Sequence, residues 1–127
     1  MFTITHIDHL VLTVKNIPVS VEFYSRVLGM HAVQFADDRT ALKFGQQKIN
    51  LHETGKEFKP SANNPTAGSA DLCLITKTEL QQAMEHVKEC GVEIIEGPVK
   101  RTGACGAILS FYFRDPDLNL IEISNKI

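Results

Sequence analysis

Several broad classes of function are disfavoured by what this sequence lacks. It has no tryptophan and only 7% aromatic residues, so an aromatic stacking cleft would be poorly supplied. Its three cysteines, Cys73, Cys90 and Cys105, are too few and too irregularly spaced for a zinc knuckle or a disulfide framework. The net charge of −2 gives no electrostatic footprint for nucleic acid.

No apolar run approaches the roughly 20 residues of a membrane span. Residues 1–6 lack the basic and apolar pattern of a signal peptide. We therefore expect a cytoplasmic protein with reduced thiols and without nucleic-acid or membrane partners.

The feature that the sequence does have is an internal repeat. The pattern around His9 returns around Asp71, and the helix end at Gly29 returns at Gly91, in both cases after 62 residues. A repeat of this length indicates two copies of one supersecondary unit. The chain, with 127 residues and 43% hydrophobic content, has the size of one ordinary domain.

Hydrophobic alternation and turn residues predict the same order of elements in both halves. The first half reads as a strand (7–14), a helix starting at 16–18, and strands at 31–35, 40–44 and 48–53. The second half reads as a strand (69–76), a helix (79–90) capped by Thr78, strands at 92–95, 107–113 and 119–124, and a hairpin loop at 97–106. The fold class is therefore α+β, with two β-α-β-β-β modules forming curved mixed sheets around a cleft. We predict one domain over residues 1–127, with module one at 1–53, a linker at 54–68 and module two at 69–127.

Glu122 is the most informative polar residue of the predicted strands. It alternates with Ile121 and Ile123, so it lies on the opposite face from theirs. Burying a carboxylate without a partner costs several kcal/mol, so a metal or another cation should accompany it. Cys73, also within a strand, is interpreted as a small core residue.

Other metal-ligand types occupy corresponding places in the repeat. Asp71 takes the place of His9, Asn50 takes the place of Glu122, and His52 follows Asn50 on the same face. Imidazole together with carboxylate suits Zn, Mn, Fe or Ni. Two other interpretations stay open: a single strand histidine is more often a hydrogen-bonded core residue, and Glu122 could be a surface carboxylate on an open sheet face.

Three segments together resemble the vicinal oxygen chelate superfamily. They are the strand Asp8–Val14, the helix end at Leu28-Gly29-Met30, and Phe113–Ile123 with its Arg-Asp-Pro-Asp turn. That superfamily includes glyoxalase I, bleomycin- and fosfomycin-resistance proteins, methylmalonyl-CoA epimerase and extradiol dioxygenases. More narrowly, residues 44–53 and 97–104 are similar to the subgroup of glyoxalase-domain-containing protein five and its bacterial relatives.

The resemblance implies a divalent metal at the base of the cleft and a homodimer in which modules from two chains complete each site. By position it assigns His9 and Glu122 as metal ligands. The remaining two ligand positions fall on Asn50 and Asp71, which departs from the stronger ligands of glyoxalase I. His52 is therefore the candidate third ligand.

Candidates for substrate contact and proton transfer come partly from the resemblance and partly from side-chain chemistry. The resemblance to fosfomycin-resistance transferases implies that Ser110 and Tyr112 contact the substrate. Arg101 could neutralise a substrate carboxylate or phosphonate, or be a solvated loop charge. Asp71 or Glu53 could act as the catalytic carboxylate that shuttles a proton.

The first functional hypothesis is a metal-dependent lyase or isomerase of the glyoxalase type, acting on a small oxygen-rich or thiol-adduct substrate with Zn, Ni, Mn or Fe as cofactor. A thiol transferase and a ring-cleaving dioxygenase are alternatives on the same scaffold. A second hypothesis is a metal-free protein that sequesters a ligand or drug. A third is a partner-binding module with a relict site.

Overall fold

The structure, a computed structural model, describes all 127 residues. Its elements follow in the order β1 (His9–Val14), α1 (Ile17–Leu28), β2 (His31–Phe35), β3 (Arg39–Phe44), β4 (Gln47–Glu53), β5 (Asp71–Ile75), α2 (Leu80–Glu89), β6 (Glu96–Gly103), β7 (Gly106–Arg114) and β8 (Leu120–Lys126). No helix is long and apolar enough to cross a membrane.

The chain divides into two compact units, Met1–Ala67 and Gly68–Ile127. The first contains a four-stranded sheet of order β1-β4-β3-β2 and the second a sheet of order β5-β8-β7-β6. In each, the first strand pairs in parallel with the last, and the other pairings are antiparallel. The predicted α+β class with a repeated β-α-β-β-β order is therefore confirmed.

Both helices begin at a side chain that accepts backbone hydrogen bonds. Asn16 accepts from the Val19 amide at 3.0 Å, and α1 ends at Gly29 in the left-handed region with φ of 66°. The carboxylate of Glu79 accepts from the amides of residues 81 and 82 at 3.0 and 3.2 Å. Glu79, rather than the predicted Thr78, is therefore the cap of α2, because the helix begins one residue later than expected, at Leu80.

The prediction was wrong between residues 92 and 106. Residues 92–95 form no strand, although the Ile95 amide donates to the carbonyl of Tyr112 at 2.9 Å. Instead, β6 pairs with β7 from Glu96 to Gly103, with a register shift between Glu96 and Val99. Gly97 and Pro98 read as loop residues, but they occupy this bulge, where proline needs no ladder hydrogen bond.

The prediction that Cys73 is a core residue was also wrong, since its side chain is exposed. In β5 the side chains of Asp71, Cys73 and Ile75 are exposed, whereas those of Leu72 and Leu74 are partly buried. Strand alternation therefore places the thiol on the face opposite the core. The buried face of the second unit is formed by α2 and large apolar strand residues, namely Leu80, Met84, Val87, Phe111, Phe113, Ile121 and Ile123.

A buried turn fixes the start of β8. Asp115 is 3% exposed, and its carboxylate accepts from the Asp117 amide at 2.9 Å and from the Asn119 amide at 2.9 Å. It also accepts from Nδ2 of Asn119 at 2.8 Å, while Oδ1 of Asn119 accepts from the Ala70 amide at 2.8 Å. The turn therefore holds β8 beside the start of β5.

Replacing Asp115 with alanine is expected to lower the free energy of unfolding by about 2–4 kcal/mol, because buried donors lose their acceptor. Urea denaturation measures this loss. Asp37→Ala, in the exposed turn after β2, is the matched control and should change stability by less than ~0.5 kcal/mol. Equal effects of the two substitutions would contradict this account of the turn.

Candidate functional site

Chemically active side chains lie in register across the open face of the second sheet, the face opposite α2. Glu122 of β8 is paired with Cys73 of β5 on one side and Tyr112 of β7 on the other. Ser124 is paired with Ser110 in the same way, two residues further along. The register thus brings the predicted ligand Glu122 together with the predicted substrate contacts Ser110 and Tyr112.

Glu122 is partly buried and has no cationic partner in the chain. Its Oε2 accepts from Oγ of Ser110 at 2.6 Å and lies 3.4 Å from Oγ of Ser124. The four ion pairs of the chain, found within 4.0 Å, do not include it. The Ser110 hydroxyl therefore satisfies part of this carboxylate, but no protein charge neutralises it.

Arg101 is already engaged on this face. Its Nε donates to the Tyr112 hydroxyl at 2.9 Å, Nη2 donates to Glu96 at 2.7 Å, and Nη1 donates to the Lys100 carbonyl at 3.2 Å. The bonds to Tyr112 and Glu96 raise the pKa of the guanidinium further above its usual range. Arg101 thus orients Tyr112 and leaves few donors for a substrate anion.

The two groups paired with Glu122 are both held in their neutral forms. Burial raises the pKa of the Tyr112 phenol, and the nearby Glu122 carboxylate adds to this, although the hydrogen bond from Arg101 opposes it. Burial likewise raises the pKa of the Cys73 thiol, and the charges of Glu122 and Asp71 raise it further. At neutral pH, Glu122 therefore faces a phenol and a thiol rather than their anions.

Two hollows open beside Glu122. One of about 410 Å³ is lined by Asp71, Ile95, Glu96, Arg101, Tyr112, Arg114, Leu120 and Glu122. The other, of about 550 Å³, is bounded by the β6–β7 hairpin together with Cys73, Ile75, Glu122, Lys126 and Ile127. The first hollow is mostly polar, as a site for an oxygen-rich molecule requires.

Sequence reasoning missed two residues of this face. Ser124 lies 3.3 Å from the Cys73 sulfur and 2.6 Å from the Ser110 hydroxyl. Arg114 lines the smaller hollow, and its one hydrogen bond is a long 3.4 Å contact with the Leu118 carbonyl. Alternation in β8 puts Ser124 on the same face as Glu122, so that signal was present in the sequence; the position of Arg114 depended on the strand register.

The first sheet places His9 at its edge. His9 is exposed, and its Nδ1 lies 2.8 Å from a carboxylate oxygen of Asp8. This hydrogen bond lowers the pKa of the Asp8 carboxyl. A carboxylate on one ring nitrogen is the usual outer partner of a metal-binding histidine, because it fixes the ring and leaves the other nitrogen for the metal.

His52 and Asn50 are buried on the same face of β4, with exposed fractions of 5% and 7%. The His52 ring packs edge-on against Phe58 with centroids 5.6 Å apart, and the Arg39 guanidinium lies 4.4 Å from the centre of the Phe58 ring. Burial, and then the charge of Arg39, lowers the pKa of His52, so the ring stays neutral. Oδ1 of Asn50 is buried without a hydrogen-bond partner.

The two carboxylates proposed for proton transfer differ in their surroundings. Glu53 accepts from the Ile17 amide at 3.2 Å and pairs with Lys56 at 3.5 Å, so it stabilises the start of α1. Asp71 is exposed and lines the smaller hollow. Asp71 is therefore better placed to meet a bound molecule.

The strand register matches the alignment of the two halves. His9 is paired with Lys48 and Asp71 with Leu120, whereas Asn50 and Glu122 each lie two residues further along their strands. No three His, Cys, Asp or Glu side chains form a group able to hold a metal ion.

A sequence profile of the Glyoxalase/Bleomycin resistance protein/Dioxygenase superfamily matches residues 6–123. The chain belongs to this superfamily. It is 55% identical to Virulence protein STM3117 of Salmonella typhimurium, over 98% of this chain and 86% of that protein. It is 52% identical to Glyoxalase domain-containing protein RDO1 of Mycosarcoma maydis, over 97% of this chain and 69% of that protein. The structure of an integron cassette protein from V. cholerae superposes with a TM-score of 0.98 at 62% identity, covering 100% of this chain and 99% of that one.

More distant members share the fold alone. Lactoylglutathione lyase from Agrobacterium tumefaciens has a TM-score of 0.73 at 21% identity, covering 95% of this chain and 93% of that one. TnmS3, an antibiotic-binding protein from Streptomyces, has a TM-score of 0.78 at 19% identity over the full length of both chains. The superfamily thus includes members that bind small molecules, and it often binds divalent metals.

Replacing His52 with glutamine is expected to reduce the loss of stability on acidification. Below about pH 6.5 an unfolded histidine gains a proton that the buried ring refuses, so the free energy of unfolding falls as the pH drops. Above that pH both states are neutral and the effect vanishes. Urea denaturation of metal-free protein between about pH 8 and about pH 5 measures the slope.

His31→Gln, at an exposed position of β2, is the matched control, because this side chain is not removed from water on folding. An identical slope in wild type and His52→Gln would contradict the assignment of His52 as a buried neutral ring.

Proposed function

We propose that the chain is a metal-assisted enzyme of the glyoxalase type, a lyase or isomerase acting on a small oxygen-rich substrate. The observation that carries the proposal is the Glu122 carboxylate, which is partly buried between two hollows without a cation from the chain. Removing such a charge from water is costly unless a cation compensates. A divalent metal is the cation that best fits a site open to small molecules.

The donor chemistry of the predicted ligands fits a divalent metal. Glu122 is oriented by the Ser110 hydroxyl, His9 has a carboxylate on Nδ1, and His52 is a neutral imidazole. Ligating groups that are deprotonated and held by outer hydrogen bonds are what such ions require. We propose these three residues as ligands of Zn, Ni, Mn or Fe, with modules from two chains of a homodimer completing each site, since no three such side chains form a group within one chain.

When bound, such an ion supplies Lewis-acid polarisation of neighbouring substrate oxygens. The chain's own residues supply the rest. Asp71, exposed at the edge of the smaller hollow, accepts a proton from the substrate at a carboxylate oxygen. Tyr112, kept as a phenol and oriented by Arg101, donates a hydrogen bond to a substrate oxygen.

The smaller hollow limits the size and character of the substrate. Its volume of about 410 Å³ is within the usual range of small-molecule sites, roughly 300–1,000 Å³. Arg114 has no carboxylate partner and can take an anionic group of the substrate, whereas Arg101 is occupied by Glu96 and Tyr112. Arg114 therefore replaces Arg101 as the proposed anion contact.

A homodimer is part of the proposal. Val11 on β1 and Ile75 on β5 are exposed apolar residues, 46% and 50% accessible, on strands that border their sheets. Exposed edge strands of this kind favour pairing with another chain. Size-exclusion chromatography with light scattering tests it, and a monomer at all concentrations would contradict it. Cytoplasmic location remains the expectation drawn from the sequence.

A metal-free sequestering protein is the second candidate. It is favoured by the absence of any group of three ligand side chains able to hold a metal ion. On this alternative the same hollows bind a compound without transforming it.

Metal binding separates the two candidates. A metal concentration of ~100 times Kd should stabilise the protein by ~2.7 kcal/mol, seen as a rise in Tm with Zn²⁺, Ni²⁺, Mn²⁺ or Fe²⁺. Glu122→Gln should lose this rise, since an amide is a poor ligand, and His9→Ala should weaken it. Glu85→Gln, an exposed position on α2, should keep it.

Metal analysis of the purified variants and the Tm measurements can also contradict the proposal. Full retention of metal in His9→Ala would remove His9 from the ligand set. No rise in Tm with any of the four metals would contradict the metal-assisted enzyme and favour the sequestering protein.

A further inference from the structure

We infer that Cys73, Ser124 and Ser110 form a chain of hydrogen bonds that positions the Glu122 carboxylate. Each residue of the chain donates its proton to the next one toward Glu122. The steps are 3.3 Å from Cys73 Sγ to Ser124 Oγ, 2.6 Å from Ser124 Oγ to Ser110 Oγ, and 2.6 Å from Ser110 Oγ to Glu122 Oε2. The inference rests on the proposed function, because it explains how Glu122 is held ready for a cation.

The direction of the chain follows from counting protons. A carboxylate only accepts, so Ser110 donates its single hydroxyl proton to Glu122. The short contact between the two serines then requires Ser124 to be the donor. Ser124 has no second proton, so Cys73 donates its S–H to Ser124. The 3.4 Å contact from Ser124 to Glu122 is too long to compete with these bonds.

The hydroxyl groups of Ser110 and Ser124 are buried, which indicates that they bond to protein groups and not to a bound molecule. Ser110 and Ser124 are each 0% exposed, so neither reaches a molecule in the hollows. Ser110 is therefore a positioning residue rather than the substrate contact predicted from sequence. Buried hydroxyls without partners are costly, whereas this chain satisfies both.

The first module serves as an internal comparison. At the positions that correspond to Cys73, Glu122 and Ser124 it has Val11, Asn50 and His52. These residues form no equivalent chain, and Oδ1 of Asn50 is left without a partner. The fold itself therefore does not require the hydrogen bonds, which accompany the carboxylate only.

Cobalt binding tests the positioning role. Isothermal titration with Co²⁺ should show a ~10–100-fold weaker affinity in Ser110→Ala, as outer-sphere partners of metal ligands typically give. Ser124→Ala should have a smaller effect and Cys73→Ala the smallest, whereas Cys73→Ser keeps the terminal donor and should bind like wild type. The visible spectrum of bound Co²⁺ should shift in Ser110→Ala.

Ser20→Ala is the matched control, because Ser20 is 1% exposed and its hydroxyl has no hydrogen-bond partner. It should leave both the affinity and the spectrum unchanged. If Glu122→Gln abolishes Co²⁺ binding but Ser110→Ala binds like wild type, the positioning chain is overturned while the proposed function stands.

A second readout needs no metal. In metal-free protein the losses of stability in Ser110→Ala and Glu122→Ala should be non-additive, since each substitution removes the same bond. Additive losses would overturn the chain even if no metal binds. Unchanged Co²⁺ affinity in Glu122→Gln together with non-additive losses would instead overturn the proposed function alone.

Discussion

The hydrogen bond between Ser110 and Glu122 is the interaction on which the candidate site depends. The buried Ser110 hydroxyl lies 2.6 Å from Oε2 of Glu122. This bond fixes one carboxylate oxygen on an otherwise open sheet face. The chain compensates the hydration that Glu122 loses with hydroxyl groups but not with a positive charge. Because an uncompensated charge in a half-buried place is unfavourable, a cation bound beside Glu122 would stabilise the site.

The two units share one strand order, yet this hydrogen-bonded carboxylate occurs in only one of them. Both sheets have the same order and register, so Asn50 occupies the place that Glu122 has in the second unit. In the first unit the Asn50 amide and the neutral His52 ring carry no charge, and both are buried. The carboxylate keeps the second face polar and accessible. One fold thus supplies an uncharged face and a charged face from nearly the same backbone.

The sequence predicted the fold better than it predicted the contacts. The repeat and strand alternation were sufficient to derive the order of elements in both modules, because these patterns follow from local geometry. They also placed Glu122 on the sheet face opposite to that of Ile121 and Ile123. The strand Glu96–Gly103 was missed, since its Gly-Pro pair resembles a loop until the bulge against β7 is known. The engagement of Arg101 depended on that same pairing, so it could not be predicted from the sequence.

The most direct measurement is a crystal structure of the protein grown with Zn²⁺, with the metal located by its anomalous scattering. We expect a single strong peak within about 2.0–2.2 Å of a Glu122 oxygen and a histidine nitrogen, with Ser110 still donating to the other carboxylate oxygen. A peak elsewhere, or a Glu122 side chain paired with a lysine or arginine of a second copy, would contradict it.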